Sequence, residues 1–510
     1  MLLGLDCGST AIKAVLFGTD GTTLATGSRR TAPTQPSPGF VEQDMDRLWH
    51  AACAAIRDAL ERVTPDGETV DAIGVTAHGD GLYLCDAAGR PLGPGIQSVD
   101  SRAHAVTAEW ASLGVLDAVE AITGQRPYPY AATTLLAWIK RHQPNRFAAI
   151  GHVLFCKDWL RYRLTGVLAT DPTDASTAFT EAPTQHRSEV LLSMLGLESL
   201  ASALPTILPS SGILGTVSAE AAEATGLEQG TPVSGGMHDV TASAVGLGNL
   251  EPGALSVTAG TFSINETLSN HLAVDRRWTA RAGLRPGQWM NMSISPASSN
   301  NVDWFLRQAY GAEWNAAASG GPSLWEIVET DLATQAAEDA PLFHPFLYGS
   351  PYDTPASAAF FGLRSWHGRA DMLRAVIEGA VFNHRFHADA LRSAFPIGRA
   401  GITGGGTWRP RPAQLFADAL GLPVDVPEAS EVGALGVALV AGVGVGAYSS
   451  LEDAVGQACR VAARYEPDPA RHAALSARFA RYVALAEAVR PFWSAGGPVR
   501  PTSHLRSPTA

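Results

Sequence analysis

Gly4-Leu5-Asp6-Cys7-Gly8-Ser9-Thr10-Ala11-Ile12-Lys13 decides how this chain is read. The decapeptide joins two apolar runs, residues 1–5 and 14–17, and its Gly8-Ser9 turn folds them into a hairpin. A glycine turn rich in hydroxyls lets backbone N–H groups approach a phosphate closely. Asp6, ending the first strand, is placed to face a hydrated Mg²⁺, a hard ion that prefers oxygen ligands. Lys13 is placed to neutralise a transferring phosphoryl group. Taken alone, the same residues also describe an ordinary hairpin with a charged rim.

Outward from this hairpin, Asp20-Gly21 turns the chain into a third strand over residues 22–28. After a Pro/Ser/Gly loop, Trp49, Cys53, Ile56, Leu60 and Val63 recur at helical spacing. The β-branched run 70–76 is a buried strand. The order β-β-β-α-β predicts an α/β layer architecture. His78-Gly79-Asp80-Gly81 follows that strand directly, and a second hairpin is expected over 82–95, with Asp100 and Arg102 just beyond. Polar groups at strand ends are where α/β proteins bind ligands. His78 also reads as a satisfied core histidine, and Asp100 with Arg102 as a local ion pair.

Helices are expected over 134–142 and 157–164, with a polar loop at 171–176 and an exposed Pro/Gly/Ser-rich stretch at 205–215. Val233-Ser234-Gly235-Gly236-Met237-His238-Asp239 then runs into a helix of small residues. Asp239 is either that helix's N-cap or a carboxylate presented at a cleft. The opening motif returns at Leu255-Ser256-Val257-Thr258-Ala259-Gly260-Thr261-Phe262-Ser263-Ile264-Asn265. Aligned on glycine, Gly260 falls on Gly8, Thr261 on Ser9 and Ile264 on Ile12, while Thr258 and Asn265 replace Asp6 and Lys13. A repeat opening a second α/β half suggests two phosphate hairpins facing one another. Asn300-Asn301 precede an apolar helix, residues 370–391 form a long one, and Gly404-Gly405-Gly406 end a strand with room for a flat base.

The chain of 510 residues is too long for one core, so two domains are expected. We divide it at 1–247 and 248–490, with a flexible tail over 491–510. Its formal charge of −12 and lack of a basic block argue against a nucleic-acid partner. Five scattered cysteines suit a reducing cytosol, and the N-terminus lacks the pattern of a signal peptide. The uncharged run 432–448 is too short and glycine-rich to span a membrane and reads as a buried helix.

In this order the pieces resemble the FGGY family of carbohydrate kinases. Asp6, Gly8, Ser9, Thr10 and Lys13 are similar to its first phosphate motif, and Phe40-Val41-Glu42-Gln43-Asp44 to its Gly-Trp-Val-Glu-Gln-Asp segment. Residues 235–239 resemble the segment of the catalytic Asp, 258–261 the second phosphate motif, and 404–406 the adenosine loop. The most specific match is Ala358-x-Phe360-x-Gly362-Leu363, then seven residues, then Asp371-Met372-x-x-Ala375-Val376-Ile377-Glu378, which resembles the family's C-terminal signature.

The resemblance implies a two-domain, actin-like (ribonuclease H-like) ATPase fold with its active site between the domains. It implies Asp239 as base, and a sugar subsite of His78, Gly79, Asp80, Asp100 and Arg102. It implies phosphate and ATP contacts at Gly8, Ser9, Thr10, Lys13, Gly260, Thr261, Asn301, Gly404, Gly405 and Gly406, with ATP and Mg²⁺, the metal at Asp6. Dimers are common in the family, and no stretch here identifies an interface. Xylulose kinases commonly carry Gln-Met-His-Gly where this chain has His78-Gly79-Asp80-Gly81. That form, with Pro127-Tyr128-Pro129-Tyr130 and Lys157-Asp158-Trp159, looks more like the branches acting on L-xylulose, related ketoses or erythritol. The expected substrate is an open-chain ketopentose. The alternatives are a short polyol such as erythritol or glycerol, or a non-catalytic ATP- or sugar-binding sensor.

Overall fold

The computed structural model describes residues 1–63, 69–321, 323–333, 339–352, 356–405 and 410–495. Strands β1 (Leu2–Cys7) and β2 (Ala11–Phe17) pair antiparallel about the opening turn, with Asp6 opposite Lys13 and Cys7 opposite Ile12. β3 (Thr23–Arg30) continues the meander. Helix α1 (Met45–Arg62), capped by the Asp44 carboxylate on the Arg47 N–H, buries Trp49, Cys53 and Ile56 and leads to β4 (Ala72–Ala77), parallel to β1. β4 is buried along its whole length, as its unbroken run of small and apolar residues requires. Helix α2 (Cys156–Thr165), β5 (Ile213–Thr216), β6 (Pro232–Ser234), a two-residue β7 (Met237–His238) and α3 (Asp239–Gly246) complete this half. Its sheet runs β5-β6-β4-β1-β2-β3, and β7 also pairs with β4.

The second half repeats the plan. β8 (Ala254–Ala259), β9 (Ser263–Ser269), β10 (Thr279–Ala282) and β11 (Trp289–Ser295) precede helices α4 (Ser299–Ala309) and α5 (Arg369–Arg392). Then come β12 (Arg399–Thr403), α6 (Pro410–Leu420), β13 (Val424–Pro427), α7 (Val432–Gly444) and β14 (Val461–Tyr465). The order β10-β11-β9-β8-β12-β13-β14 places two parallel strands beside an antiparallel meander, as in the first sheet. The hairpins differ in one respect. Cys7 pairs with Ile12, but Ala259 pairs with Ser263, so the second turn is one residue shorter. The register counterpart of Lys13 is therefore Ile264, not Asn265, whose side chain turns away to His384.

Helix α7 follows β13 yet packs on the first sheet. A Cβ on Gly4 or Gly74 would lie 2.0 Å from the carbonyl oxygens of Ala434 and Val437, so only glycine admits this approach. The whole stretch 432–442 is buried, which explains the uncharged run. Among the described residues no helix is long and apolar enough to cross a membrane.

The hairpin expected over 82–95 is present, with Asp86 N–H on Arg90 O, Leu92 N–H on Leu84 O and an antiparallel bridge from Cys85 to Pro91, and its strand Tyr83–Cys85 also pairs with His152–Leu154. Two expectations are corrected. Residues 171–176 are not a loop. They hold a buried turn of helix, Pro172–Ala175, with the Asp171 and Asp174 carboxylates 3.2 and 3.4 Å from Lys157. At the C-terminal end, helix Pro469–Ala495 carries ordered chain past Pro491, and residues 496–510 lie outside the described residues.

Candidate active site

Asp239 is the first residue of α3, not its N-cap, which is His238. Its Oδ1 accepts the Val240 N–H at 2.8 Å, and a third of its side chain remains exposed (33%). Burial raises its carboxyl to about 6, against the opposing charge of His78. A carboxylate of that pKa suits a general base working near neutrality. The loop that presents it rests on a buried ionic floor. Lys157 Nζ lies 2.7 Å from Asp158, 3.2 Å from Asp171 and 3.4 Å from Asp174. Lys157 and Arg161 also donate to Gly235 O, and Thr173 Oγ1 accepts the His238 N–H at 2.8 Å. Residues 157–158 and 171–174 thus hold the base's loop in place.

His78 donates or accepts at Tyr83 OH (3.1 Å) through Nε2, and its Nδ1 is buried without a partner among the described residues. Burial opposes a charge there, but Cys156 and Asp239 outweigh it and raise the imidazole to about 9. Asp80 binds Arg281 Nη2 at 3.0 Å across the two halves. Gly79 lies against His238: a Cβ there would sit 1.6 Å from His238 Nε2. Asp100 and Arg102 are paired with each other (2.8 Å), and Arg102 also with Glu42 (2.9 Å), beneath Phe40. The local ion pair is thus real, and it leaves Arg102 Nη1 buried without a partner.

At the two hairpin tips, the N–H groups of Ser9, Thr10, Gly260 and Thr261 make no hydrogen bond among the described residues. Open N–H groups at glycine turns suit anion binding. Ser299 donates from its backbone N–H to Gly260 O at 3.0 Å, tying the start of α4 to the second tip. Gly404 (φ +117°) lies so close that a Cβ would be 2.4 Å from Ala259 O. Beside them opens an apolar cleft of about 150 Å³ lined by Ala259, Ser298, Ser299, Val302, Trp325, Ile377, Gly405 and Phe416, among others. Its apolar and aromatic walls suit a flat base. Asn301 does not line it: the side chain is buried, bonded to Ser298 and Asn300. Gly406 lies outside the described residues.

Asp6 stands at the seam of the two halves, with Oδ2 3.0 Å from where a Cβ on Gly433 would be. Burial, then the charges of Asp239 and Glu431, raise its carboxyl to about 7. Lys13 binds Glu431 at 2.7 Å, a partner invisible from the opening hairpin. Asp6 thus feels two like charges, Asp239 and Glu431, against the single opposing charge of Lys13, an excess of negative charge that suits a divalent cation. Among the described residues no cluster of three or more His, Cys, Asp or Glu could hold a metal alone. A Mg²⁺ that keeps its waters and arrives on phosphates needs only one or two carboxylates, and Asp6 would supply one.

Sequence reasoning missed His238, Arg281 and Glu431, as well as Trp325 and Phe416 in the base cleft. Arg281 and Glu431 meet the site through contacts far away in sequence, and His238, though beside Asp239, is defined by its contact with Arg281.

Two repeated α/β halves with phosphate-type hairpins and a carboxylate between them define a phosphotransferase of the two-domain, actin-like ATPase fold. The N-terminal domain of the FGGY family of carbohydrate kinases matches residues 1–246, and its C-terminal domain residues 255–445. The chain belongs to that family and is a sugar kinase that uses ATP. It is 32% identical to the probable L-xylulose kinase of Pasteurella multocida (strain Pm70), over 96% of this chain and 99% of that protein. It is also 32% identical to the L-xylulose/3-keto-L-gulonate kinase of Escherichia coli (strain K12), over 96% and 97%. Among solved structures, xylulose kinase from Rhodospirillum rubrum superposes with a TM-score of 0.86 at 28% identity, covering 96% and 99%.

Proposed function

We propose that this kinase transfers the γ-phosphate of Mg·ATP to a hydroxyl of an open-chain ketopentose of the L-xylulose type. The observation that carries the reading is Asp239: a part-exposed carboxylate, raised to about 6, placed beside His78 and Asp80. The two relatives with L-xylulose in their names, alike over almost the whole chain, support the substrate class.

In this reading Asp239 takes the proton of the attacking hydroxyl. His78, Gly79, Asp80, Asp100 and Arg102 form the sugar subsite, where an acyclic substrate finds both donors and acceptors. Open N–H groups at Ser9, Thr10, Gly260 and Thr261 hold phosphoryl oxygens. Gly404 and Gly405 face the nucleoside, and Asp6 faces Mg²⁺, which supplies charge neutralisation when bound. Phosphoryl transfer asks a protein mainly for positioning and electrostatics, which these groups give. Residues 1–247 carry the sugar subsite and base, and 248–490 the nucleotide wall. All five cysteines are free thiols, in keeping with a cytosolic enzyme.

The test is ADP release from Mg·ATP with a panel of D- and L-ketopentoses, 3-keto-L-gulonate, pentitols, erythritol and glycerol. The expected result is release driven best by a ketopentose, with kcat/KM at least about tenfold above any polyol, the effect of leaving site polar groups unpaired. Preference for a polyol overturns the substrate. No sugar-stimulated release overturns the placement of the catalytic groups.

A further inference from the structure

We propose that Arg281, carried by the second half, positions the base of the first half by holding His238 in its Nδ1–H tautomer. The inference rests on the reading of Asp239 as base. Arg281 Nη1 stands 3.1 Å from His238 Nε2. A guanidinium only donates, so Nε2 must carry the lone pair. A neutral imidazole then bears its proton on Nδ1, which lies 3.3 Å from Asp239 Oδ1, near enough for its dipole to act on the carboxylate but not aligned as a hydrogen bond, and has no hydrogen-bond partner among the described residues. The ring stays neutral: burial, and then the charges of Arg281, His78 and Lys157, push it well below the usual histidine range.

Asp239 Oδ1 therefore accepts the Val240 N–H at 2.8 Å and lies 3.3 Å from His238 Nδ1, a charge–dipole contact rather than a hydrogen bond. Oδ2 makes no hydrogen bond among the described residues and is left to take the substrate's proton. Arg281 is itself fixed on every side. Asp80 accepts from Nη2 at 3.0 Å and Gln125 Oε1 from Nε at 3.0 Å. Its strand neighbours dock on the first half, Ala280 N–H on Gly124 O and Ala282 N–H on Ser176 Oγ, both at 3.0 Å. Arg281, His238 and Asp80 are each at most 7% exposed. The geometry assigns Arg281 and His238 as positioning residues: the base is oriented by an arginine that arrives only with the opposite half.

The test uses the full chain with Mg·ATP and its best sugar. In Arg281→Met, kcat falls about 100-fold, the cost of misplacing a reacting group by ~1 Å, while KM for ATP is unchanged and KM for sugar moves less than about threefold. Unchanged kcat, or a loss carried mainly by sugar KM, overturns the proposal. Histidine-selective ¹⁵N NMR reads the tautomer without reference to activity. His238 shows the Nδ1–H form in the wild type, and an Nε2–H form there overturns the proposal.

If Arg281→Met does not fold, because Asp80 is left as a buried unpaired charge, His238→Asn and His238→Leu decide. Asparagine retains an N–H towards Asp239 and stays within about tenfold of wild type, whereas leucine loses about 100-fold. Equal losses overturn the proposal. Asp239→Asn separates the two readings: if it keeps full turnover the base assignment falls, while the NMR result still decides the tautomer.

Discussion

Gly79→Ala is the smallest change that reaches the base, and it does so without backbone strain, since Gly79 is not among the positive-φ residues. The added Cβ would lie 1.6 Å from His238 Nε2, 2.0 Å from Cδ2 and 2.6 Å from Cε1. Carbon and nitrogen pack at roughly 3.5 Å, so the imidazole must retreat by about 2 Å. It has nowhere to go without leaving Arg281, 3.1 Å away, and Asp239, 3.3 Å away. Overpacking of this kind costs about 1–3 kcal/mol of stability. Displacing the ring removes the contact that orients the base and lowers kcat by about 100-fold.

The assay is a double-mutant cycle with His238→Ala, reading both thermal midpoint and kcat. Removing the ring vacates the space, so Gly79→Ala costs little stability in that background, and the two changes couple by about 1–3 kcal/mol. The kcat losses do not add, because both act through the same ring. A folded Gly79→Ala enzyme with wild-type kcat, or additive stability losses, refutes the reasoning.

Other outcomes follow from the same geometry. The acid limb of kcat/KM reports Asp239: its carboxyl is raised to about 6, the proton-accepting form is lost as pH falls through that value, and at pH 5 activity is about a tenth of the plateau. A profile flat to pH 5 contradicts this. Glu266 is buried with neither oxygen bonded among the described residues, and burial holds its carboxyl well above 4.5. The folded state therefore keeps a proton that the unfolded chain releases, and stability falls as pH rises above about 4.5. In denaturant titrations Glu266→Gln gains on the wild type with rising pH, and a pH-independent difference contradicts this. Gly404→Ala places a Cβ 2.4 Å from Ala259 O at φ +117°. The strain of about 1–3 kcal/mol raises KM for ATP about tenfold with little effect on sugar KM, and steady-state titration of each substrate checks it.

The fold was legible wherever neighbours in sequence are neighbours in space. The alternation around Gly8 gives a strand, a turn and a strand, and its return at Gly260 announces a second half. The register of that second hairpin was not legible, because turn length is set by backbone geometry rather than by which glycine aligns. The polar stretch at 171–176 reads as a loop until Lys157 is known to sit among its carboxylates. Glu431 meets Lys13 across 418 positions, and Arg281 meets Asp80 across 201. No local pattern marks either contact, since both depend on how two sheets meet. Asp239 was legible as a candidate because its glycine pair has a physical reason: Gly236 packs with a would-be Cβ 2.0 Å from Val75 O. His238 was passed over because its partner lies on another strand of the other half.

Asp239→Asn, measured for turnover and for Mg·ATP affinity on the same preparation, tests the central claim most directly. Loss of the base predicts a fall in kcat of about 10²–10⁴-fold with the nucleotide dissociation constant within about threefold of wild type. Turnover near the wild-type rate in a variant that binds Mg·ATP normally would contradict the assignment of Asp239 as the group that takes the proton.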